Sequence, residues 1–550
     1  MRGWLLQAVW AILTAAPLHA QTIPGERIYR EGALPDGRLL EARVNGDIPL
    51  RGQFAACAGC HRRSGYGLAD SEMLASSITG ETLFSAREPR RADLLQGLYQ
   101  EVHSPTSWAG ERTPKLRPAY TGETLAVALR TGLDPSGRLL DPAMPRYALD
   151  QASAKALVAY LETLGTDQAP GVDAKVIQFA TVIAGQVSLD RERAMLGVME
   201  AFINAKNLDT LRESARPDFS PYYKGEYRSS WRRWSLNVWR LRGDPVTWER
   251  QLTELQASRP VFAVLGGLAE GGWQPIHAFC ERNGLPCLFP NTDLPVVDAP
   301  SHDTLYLSRG LIGEAEATAE FLHEQQEDAR VVQVLRNDPA ARGLADEFSV
   351  TLAKLGSGEP WTRLLPADDV PTSADWTRLA EGKGATALAV WLGPDDPAWR
   401  TLAQAKLLMP VHGSGGLLLA DVPAASRDLP AGLRLSYPYS LPGKEAPQIY
   451  RVRAWLEARH VRTVYERLQL NTYFTMSVTE HALIHMAGHF SRDYLIESVE
   501  HETENALDPG TFPSMSLGPE GRYASKGSYI VTLDAMGTVR PASSWIVWSP

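Results

Sequence analysis

The sequence predicts a multidomain chain in which an all-α domain precedes an α/β domain with two lobes. The chain has 550 residues, and at roughly 150 residues per domain this length allows about three compact units. A polar stretch rich in Pro and Gly, residues 165–173, has the composition of a linker. Before it, apolar residues recur at helical spacing, whereas beyond it short apolar strands alternate with helices. We therefore expect domains at 21–165 and 174–550, joined by a linker at 166–173.

The first twenty residues have the pattern of a secretory signal peptide. Arg2 precedes an apolar run from Trp4 to Ala16, and Ala20 supplies a small residue at the cleavage position. The run is too short to span a bilayer, and no later segment reaches the roughly 18 apolar residues that a membrane helix needs. We expect residues 1–20 to be removed and the mature protein to be soluble in the periplasm, without a membrane span.

The charge distribution argues against nucleic acid as a partner. The net charge is −9, and residues 21–165 hold equal numbers of basic and acidic residues, so the excess negative charge lies beyond them. An acidic, exported chain without a basic run does not attract phosphate backbones or anionic membranes. The tryptophans and arginines that alternate within residues 228–248 are therefore attributed to packing.

Cys57-Ala-Gly-Cys60-His61 is the most specific motif in the chain. Two thiols three residues apart can add to the two vinyl groups of a haem, and the adjacent histidine can bind the iron. The alternatives are a redox Cys-x-x-Cys, which needs a thioredoxin-like context, and half of a zinc site, which needs a second cysteine pair nearby. Neither context is present. We expect one covalently bound haem c, tethered by Cys57 and Cys60, with His61 as an axial ligand.

A second axial ligand is expected from Met144. It lies in a loop that Pro142 and Pro145 stiffen, just before a helical pattern at 152–164. Thioethers and imidazoles are the usual ligands at this position, so Met73 and His103 are the alternatives.

Residues 45–165 resemble a class I cytochrome c. The matching pieces are a helical segment from Leu50 to Ala58 before the cysteines, the Met144-Pro145-x-Tyr147 segment, and the closing helix with Tyr160. The resemblance implies an all-α domain whose first and last helices cross near Tyr160. It also implies single-electron transfer, with a periplasmic redox partner such as a quinoprotein dehydrogenase.

Beyond the linker, buried strands and helices alternate. This order predicts parallel sheets with helices on both faces, and the length is enough for two lobes. The predicted strands are 176–183, 234–238, 260–265, 330–335 and 387–392, and the predicted helices between them are 191–206, 246–255 and 341–355.

Two phrases in this region resemble the type I periplasmic solute-binding proteins, of the branched-chain amino-acid-binding kind. They are residues 280–295, with Cys-Glu-Arg-Asn-Gly-Leu-Pro-Cys at the start, and residues 516–531. The resemblance implies two Rossmann-like lobes that close over a small-molecule ligand.

Ligand contacts are expected where strands end and helices begin, because crevice sites of parallel sheets form there. The candidates are Gly266, Gly267, Asn291 and Thr292 in one lobe and Arg336, Asn337 and Asp338 in the other. The alternative is that these are ordinary turn and capping residues. The segment Gly413-Ser-Gly-Gly416 has no acid nearby in sequence, which argues against an amino-acid ligand.

Two further groups of residues are candidates for a disulfide and for a metal site. Cys280 and Cys287 form a candidate disulfide in an exported protein, with two buried free thiols as the alternative. His481, His485 and His489 recur at helical spacing, so adjacent pairs could hold zinc or copper. The outer two are about 12 Å apart and cannot share one ion, and spacing fixes no supporting cysteine or carboxylate.

The resulting hypothesis is a periplasmic mono-haem cytochrome that transfers single electrons, with a solute-binding module for docking or ligand sensing. The alternative is a small-molecule receptor or transport-binding protein in which the haem is secondary. No nucleophilic triad or phosphate-binding loop is present in the sequence, so no catalytic residues and no enzymatic activity are expected.

Overall fold

The computed structural model describes residues 23–69, 74–86, 117–166, 169–215, 231–296, 301–419, 429–443, 447–486, 488–504, 510–513, 515–517, 521–534 and 537–548. The chain divides into two compact units, residues 1–167 and 168–550. The proposed signal peptide, Met73 and His103 lie outside the described residues.

The first unit combines helices with a small sheet. Its helices are α1 (Pro24–Glu31), α2 (Ala58–His61), α3 (Gly80–Phe84), α4 (Gly122–Thr131) and α5 (Gln151–Thr163). Its strands are β1 (Glu41–Val44), β2 (Ile48–Arg51), β3 (Leu68–Ala69), β4 (Leu74–Ala75) and β5 (Arg146–Tyr147). Strands β2, β1 and β5 form an antiparallel sheet.

The expectation of an all-α first domain is therefore wrong. The strands β1 and β2 are joined by a tight turn at Asn45-Gly46, where both residues have positive φ (51° and 95°). Asn-Gly between two extended segments is a strong hairpin signal, because both residues tolerate the left-handed region that such turns require. The sequence contained this hairpin signal, and the expectation of an all-α domain overlooked it.

The helix that crosses the last helix lies earlier than expected. The segment predicted to be the N-terminal helix, Leu50–Ala58, forms the end of β2 and a single 3₁₀ turn, and Phe54 is 78% exposed. Helix α1 crosses α5 instead, and the approach is close: a Cβ on Gly25 would lie 2.1 Å from the carbonyl oxygen of Ala156. The Tyr29 and Tyr160 rings pack beside this crossing with their centroids 5.4 Å apart.

Two turns of the first unit repeat each other at an offset of 100 residues. Gly32 and Gly132 end α1 and α4 in the left-handed conformation. Each is followed by a closed loop in which Leu40 N donates to Gly32 O (2.8 Å) and Leu140 N donates to Gly132 O (2.7 Å). The segments 32–40 and 132–140 share Gly, Pro, Gly, Arg, Leu and Leu at equivalent positions.

The first lobe of the second unit is built on a parallel sheet. Its strands are β6 (Val176–Ala184), β7 (Arg233–Leu241), β8 (Ala263–Leu265), β9 (Leu268–Ala269), β10 (Cys287–Leu288) and β11 (Thr304–Leu305), and the order across it is β11-β10-β8-β6-β7, with β9 beside β6. The helices before its last strand are α6 (Leu189–Ala215), α7 (Trp248–Ser258) and α8 (Gln274–Arg282).

The second lobe has a larger, mainly parallel sheet. Its strands are β12 (Val331–Arg336), β13 (Trp361–Leu365), β14 (Ala387–Trp391), β15 (Val411–Ser414), β16 (Arg434–Tyr437), β17 (Gly527–Leu533), β18 (Val539–Pro541) and β19 (Ile546–Val547). The order is β13-β12-β14-β15-β16-β17-β18, and β17 runs antiparallel to β16. The helices of this region are α9 (Gly310–Gln325), α10 (Pro339–Lys354), α11 (Ser373–Gly382), α12 (Ala398–Ala405) and α13 (Gly415–Leu419).

Three later helices complete the second unit. They are α14 (Pro447–Ala458), α15 (Glu466–His485) and α16 (Arg492–Glu504). Residues of α15 and α16, such as Phe474 and Val499, share a hydrophobic core with Ile177 and Phe179 of the first sheet. The chain therefore returns from the second lobe to the first before it adds β17, which confirms the α/β architecture with two lobes.

Candidate functional site

A cleft lies between the two lobes of the second unit, at the carboxyl ends of parallel strands. Asn291 and Thr292 follow β10, Ser308 follows β11, Gly416 follows β15 and Tyr439 follows β16. Loops at this edge of parallel sheets converge on a crevice, which is where such folds bind ligands. The cavity has a volume of about 80 Å³, enough for several waters or a small molecule.

The side-chain amide of Asn291 has unmet hydrogen-bonding capacity in this cleft. Both its Oδ1 and its Nδ2 are shielded from solvent and have no hydrogen-bond partner. Leaving a buried amide unsatisfied costs about 1–3 kcal/mol, so such groups usually have a partner, from the protein or a bound molecule. The backbone of Asn291 is fixed, since its N–H donates to Gly267 O at 3.0 Å.

A carboxyl group, that of Glu314 on α9, is held at the other side of the cleft. Its Oε2 accepts hydrogen bonds from the hydroxyls of Ser414 (2.7 Å) and Ser436 (2.9 Å), and its Oε1 accepts one from the N–H of Gly416 (3.1 Å). Glu314 is 1% exposed. Burial raises its pKa to about 7, against the lowering effect of the three donors.

The segment Gly413-Ser-Gly-Gly416 is shaped to receive this carboxyl group. A Cβ on Gly416 would lie 2.3 Å from Glu314 Oε1, so only glycine lets the carboxyl reach the backbone N–H. Sequence reasoning found no acid for this segment because Glu314 precedes it by a hundred residues and is brought to it by the packing of α9. The acid is present, but its oxygens are already occupied by protein donors.

Two arginines bring positive charge to the cleft: Arg191 in the first turns of α6 and Arg467 at the start of α15. The Arg467 guanidinium lies 3.6 Å from the centroid of the Tyr439 ring and donates to Leu419 O at 3.1 Å. A stacked guanidinium of this kind is fixed in position and well suited to a carboxylate partner. The two cations stand near Asp293 and Glu314, so the cleft combines both signs of charge.

The structure places two of the four predicted first-lobe ligand residues at the cleft. Asn291 and Thr292 line it. Gly266 and Gly267 are buried beneath it in a turn with positive φ, and Gly266 N donates to Leu288 O at 2.8 Å. A Cβ on Gly266 would come within 2.8 Å of Met199, so the glycines serve the close packing of the turn.

The second-lobe candidates have structural partners away from the cleft. The guanidinium of Arg336 forms a bidentate ion pair with Asp396 and donates to Ala367 O and Asp369 O, each at 3.0 Å. Asp338 caps α10 by accepting from Ala341 N at 2.9 Å, and Asn337 Oδ1 accepts from Arg342. The alternative, that these are turn and capping residues, describes Arg336, Asn337 and Asp338 better than ligand binding does.

Cys280 and Cys287 are free thiols, so the structure does not contain the candidate disulfide. Both are fully buried in the core between α7, α8 and the first sheet. The Cys280 thiol is hydrogen-bonded to that of Cys287, and this contact and burial together raise its pKa well above the usual range. Buried thiols of this kind pack as small apolar side chains.

In the first unit, the predicted haem-attachment motif Cys57–His61 forms a short helical turn. Cys57 is the N-cap of α2 and is buried, whereas Cys60 is half-buried, and both are free. Burial raises the pKa of Cys57 to about 11. His61 is 8% exposed and its Nδ1 lies 2.8 Å from the carbonyl oxygen of Ser76, while burial lowers its pKa. The neutral ring with its proton on Nδ1 keeps the Nε2 lone pair for a metal.

The segment that carries Met144 lies against this motif. Tyr147, three residues after Met144, pairs with Ala42 of β1, and its hydroxyl oxygen lies 3.9 Å from the Cys57 sulfur. Met144 itself is partly buried and packs against the core of the first unit. The predicted tether and the predicted second ligand therefore belong to segments that touch through Cys57 and Tyr147.

Two histidine groups could be considered as metal sites. Within the described ranges, one set of three ligand atoms lies within 4.8 Å: those of His302, Asp303 and Asp493. His302 Nδ1 is 3.5 Å from the guanidinium of Arg522, so this set is part of an ion-pair network. The second group is His481, His485 and His489. Helix α15 ends at His485, so His489 lies beyond the helix and does not continue its predicted face.

The comparisons with known proteins concern the second unit. Neither the protein-family models nor the curated proteins give a match. Among solved structures, a branched-chain amino acid ABC transporter protein from Thermus thermophilus with bound valine is 12% identical, with a TM-score of 0.51, and the match covers 68% of this chain and 98% of that chain. An ABC transporter substrate-binding protein from Sphaerobacter thermophilus is 14% identical, with the same coverage and the same TM-score of 0.51.

The second unit has the type I periplasmic-binding-protein fold. The predicted fold resemblance for this unit is thereby confirmed, and the cleft described above lies where the two lobes of such a fold face each other. Across the part of the chain that the structure describes, no helix combines the length and apolar character needed to cross a membrane.

Proposed function

We propose that the chain is a periplasmic binding protein that holds a small carboxylate in the cleft of its second unit. The observation that carries the proposal is the shielded, unpaired amide of Asn291, which lines the same cleft as Arg467. A bound ligand would supply the partners that this amide lacks. The type I fold supports a binding role, since the solved structures with this fold are transporter binding proteins.

The residues around the cleft favour an acid that also carries a hydroxyl group. The Nδ2 of Asn291 and the guanidinium of Arg467 are donors for a carboxylate. The Oδ1 of Asn291 is an acceptor and requires a donor from the ligand. The Glu314 oxygens are already occupied by Ser414, Ser436 and Gly416, so this acid is not available to an ammonium group. A 2-hydroxy acid therefore fits better than an amino acid such as the valine bound to the Thermus protein.

The experiment is calorimetric titration of the full-length, haem-loaded chain with lactate, glycolate and valine, with lactamide as the uncharged control. We expect lactate or glycolate to bind and lactamide not to bind. Asn291→Ala should weaken binding by tenfold or more, because one or two hydrogen bonds to a charged group are lost. Asn337→Ala is the matched control outside the cleft and should leave affinity unchanged. Absence of binding by every carboxylate, or equal losses in the two variants, would reject the proposal.

A second function, single-electron transfer by the first unit, is supported by the contact between His61 Nδ1 and Ser76 O. An iron-binding histidine commonly donates its second nitrogen to a carbonyl, which fixes the ring and its tautomer. The residues fit a haem c: Cys57 and Cys60 would hold it covalently, and His61 and Met144 would bind its iron. When bound, the haem supplies reversible one-electron chemistry, and the protein residues position it and limit access of water to the buried side of the motif.

Absorption spectroscopy of the purified, reduced protein tests this second function. We expect the sharp bands of a low-spin c-type haem, retained after denaturation because the attachment is covalent. Replacing both Cys57 and Cys60 by Ser should abolish covalent haem, and Cys280→Ser should not. We further propose a periplasmic dehydrogenase as the electron donor, and mixing the oxidised protein with such an enzyme and its substrate should reduce the haem. If the protein binds a ligand tightly but no donor reduces its haem, only the receptor function remains supported.

A further inference from the structure

We propose that His481 and His485 form a binding site for a divalent transition-metal ion, with Glu502 as the carboxylate that orients them. The two histidines are one turn apart on α15, and both side chains are about half exposed. Glu502 lies on α16, and its side chain is only 8% exposed. The juxtaposition of an exposed histidine pair with a nearly buried carboxylate is what distinguishes this place from the other histidines of the described chain.

The contacts between the three side chains define how the rings are held. The Nδ1 of His485 is in direct contact with one carboxylate oxygen of Glu502, and the Nδ1 of His481 is 3.7 Å from the other oxygen. Each oxygen thus faces a different ring. The carboxylate favours the proton on Nδ1 in both histidines, which leaves the lone pair of each ring on Nε2.

This arrangement reproduces the outer part of a histidine metal site. Ligating histidines usually donate their second ring nitrogen to a carboxylate or carbonyl, which fixes the tautomer and raises the basicity of the ligating nitrogen. Histidines at i and i+4 lie on one helix face and can bind the same ion, as in helical zinc motifs. Because Nδ1 faces Glu502, the two Nε2 atoms are the ligands, and their half-exposed rings face solvent, from which an ion can enter.

A third histidine stands beside the pair. The ring centroids of His485 and His501 are 5.7 Å apart, and His501 is exposed on α16. Imidazole ligands suit Zn²⁺, Cu²⁺ and Ni²⁺ rather than Ca²⁺ or Mg²⁺, which prefer oxygen. Helices α15 and α16 share the core of the first lobe through their inner faces, so the carboxylate and the histidine pair belong to elements that already pack together.

Sequence spacing alone did not distinguish the pair His481–His485 from the pair His485–His489. His489 is equally distant from His485 in sequence, but α15 ends at His485, and the N–H of His489 donates to Met486 O at 2.9 Å. The carboxylate that spacing did not supply comes from α16, so the pair His481–His485 has an orienting acid. His489 therefore provides a matched control.

Calorimetric titration of the full-length, untagged, haem-loaded chain with Zn²⁺ tests the proposal. We expect one zinc ion per chain and retention of the chain on an immobilised Ni²⁺ column. His481→Ala and His485→Ala should each weaken zinc binding at least tenfold, because the chelate is reduced to one ring. Glu502→Gln keeps the size of the side chain and removes its charge, and it should weaken binding by 10–100-fold.

The controls distinguish a metal site from a structural contact. His489→Ala should leave the zinc affinity unchanged, and circular dichroism should show the same helix content in all variants. If Glu502→Gln disturbs folding, His485→Asn tests the site at an exposed position, because it keeps a polar side chain and leaves the buried carboxylate in place. Zinc binding that is absent, or that survives both His481→Ala and His485→Ala unchanged, overturns the proposal, whereas the carboxylate ligand of the cleft is measured separately and does not depend on it.

Discussion

The carboxyl group of Glu314 accepts a 2.7 Å hydrogen bond from the hydroxyl of Ser414, which lies 100 residues further along the chain. With Ser436 and Gly416, this bond ties α9 to the ends of β15 and β16 at the edge of the cleft. A buried carboxyl group surrounded by donors is costly to disturb, because each donor left without a partner costs about 1–3 kcal/mol. The second-lobe wall of the cleft is therefore fixed before any ligand binds.

The stability of the second unit should depend on the protonation of Glu314. The pKa is about 7 in the folded protein, against an ordinary value of 4.5, so the folded state binds this proton more tightly than the unfolded state. The stabilisation is complete below about pH 4.5 and is lost as the pH rises through 7, with a total of up to about 3 kcal/mol. Glu314→Gln cannot titrate, so the melting temperature of the wild type should fall relative to the variant between pH 5 and 8 in scanning calorimetry. Parallel pH profiles would contradict the assignment; Glu316, whose pKa is also raised to about 7, is present in both proteins.

Gly416→Ala should destabilise the second unit by about 1–3 kcal/mol, since the added methyl group overlaps the carboxyl of Glu314 and forces it away. Gly382→Ala is the control, because a Cβ there meets no atom within 4 Å and alanine suits a helix better than glycine. Denaturant unfolding measures both variants. In a Glu314→Ala background the cost of Gly416→Ala should shrink, and an unchanged cost would show that the overlap is not the cause.

Met144→Ala should open one coordination position of the haem and lower its reduction potential. A thioether from Met144 would stabilise reduced iron, so its loss would lower the potential and leave a position for an added ligand. Redox titration and the binding of carbon monoxide to the reduced protein measure these effects. Met409→Ala, which truncates a partly buried methionine of the second lobe, should change neither. A wild-type potential in Met144→Ala would assign the ligand to another residue.

Thiol titration of the haem-loaded chain decides the state of Cys280 and Cys287. Denatured without reductant, the protein should show two reactive thiols, because the proposed haem attachment would consume Cys57 and Cys60 and the other pair is free. Before denaturation both should be unreactive, since each is fully buried. No reactive thiol after denaturation would mean that Cys280 and Cys287 are bridged in the purified protein.

Periodicity predicted the central strands of the second unit, such as β12 and β14, because these strands are buried on both faces. The apolar runs Val331–Leu335 and Ala387–Leu392 form β12 and β14 with almost the predicted bounds, and Asp244 caps the turn that precedes α7. In the first unit, the same reasoning predicted a helix at Leu50–Ala58 and overlooked the Asn-Gly hairpin just before it. There the apolar residues of β2 and the next turn recur at helical spacing. The Asn45-Gly46 turn, with its left-handed residues, was the better predictor of the local structure.

The cleft was only half predictable, because its residues come from distant parts of the chain. Strand ends identified Asn291 and Thr292, which are local to β10. Glu314 and Arg467 lie on helices and reach the cleft only through the packing of the two lobes, so no spacing in the sequence brings them together. Arg336 lies at the end of a strand, as a ligand residue would, but its guanidinium forms an ion pair with Asp396, sixty residues later in the chain.

The repeated turns at Gly32–Leu40 and Gly132–Leu140 have a consequence for how the first unit folds. Each closes on itself through backbone hydrogen bonds between residues eight apart, and local loops of this size form within microseconds. The slow step is then the meeting of α1 and α5, which must close more than a hundred residues of intervening chain. The Cys57–His61 motif lies between the two turns in the sequence, so both turns form on either side of it before α1 and α5 meet.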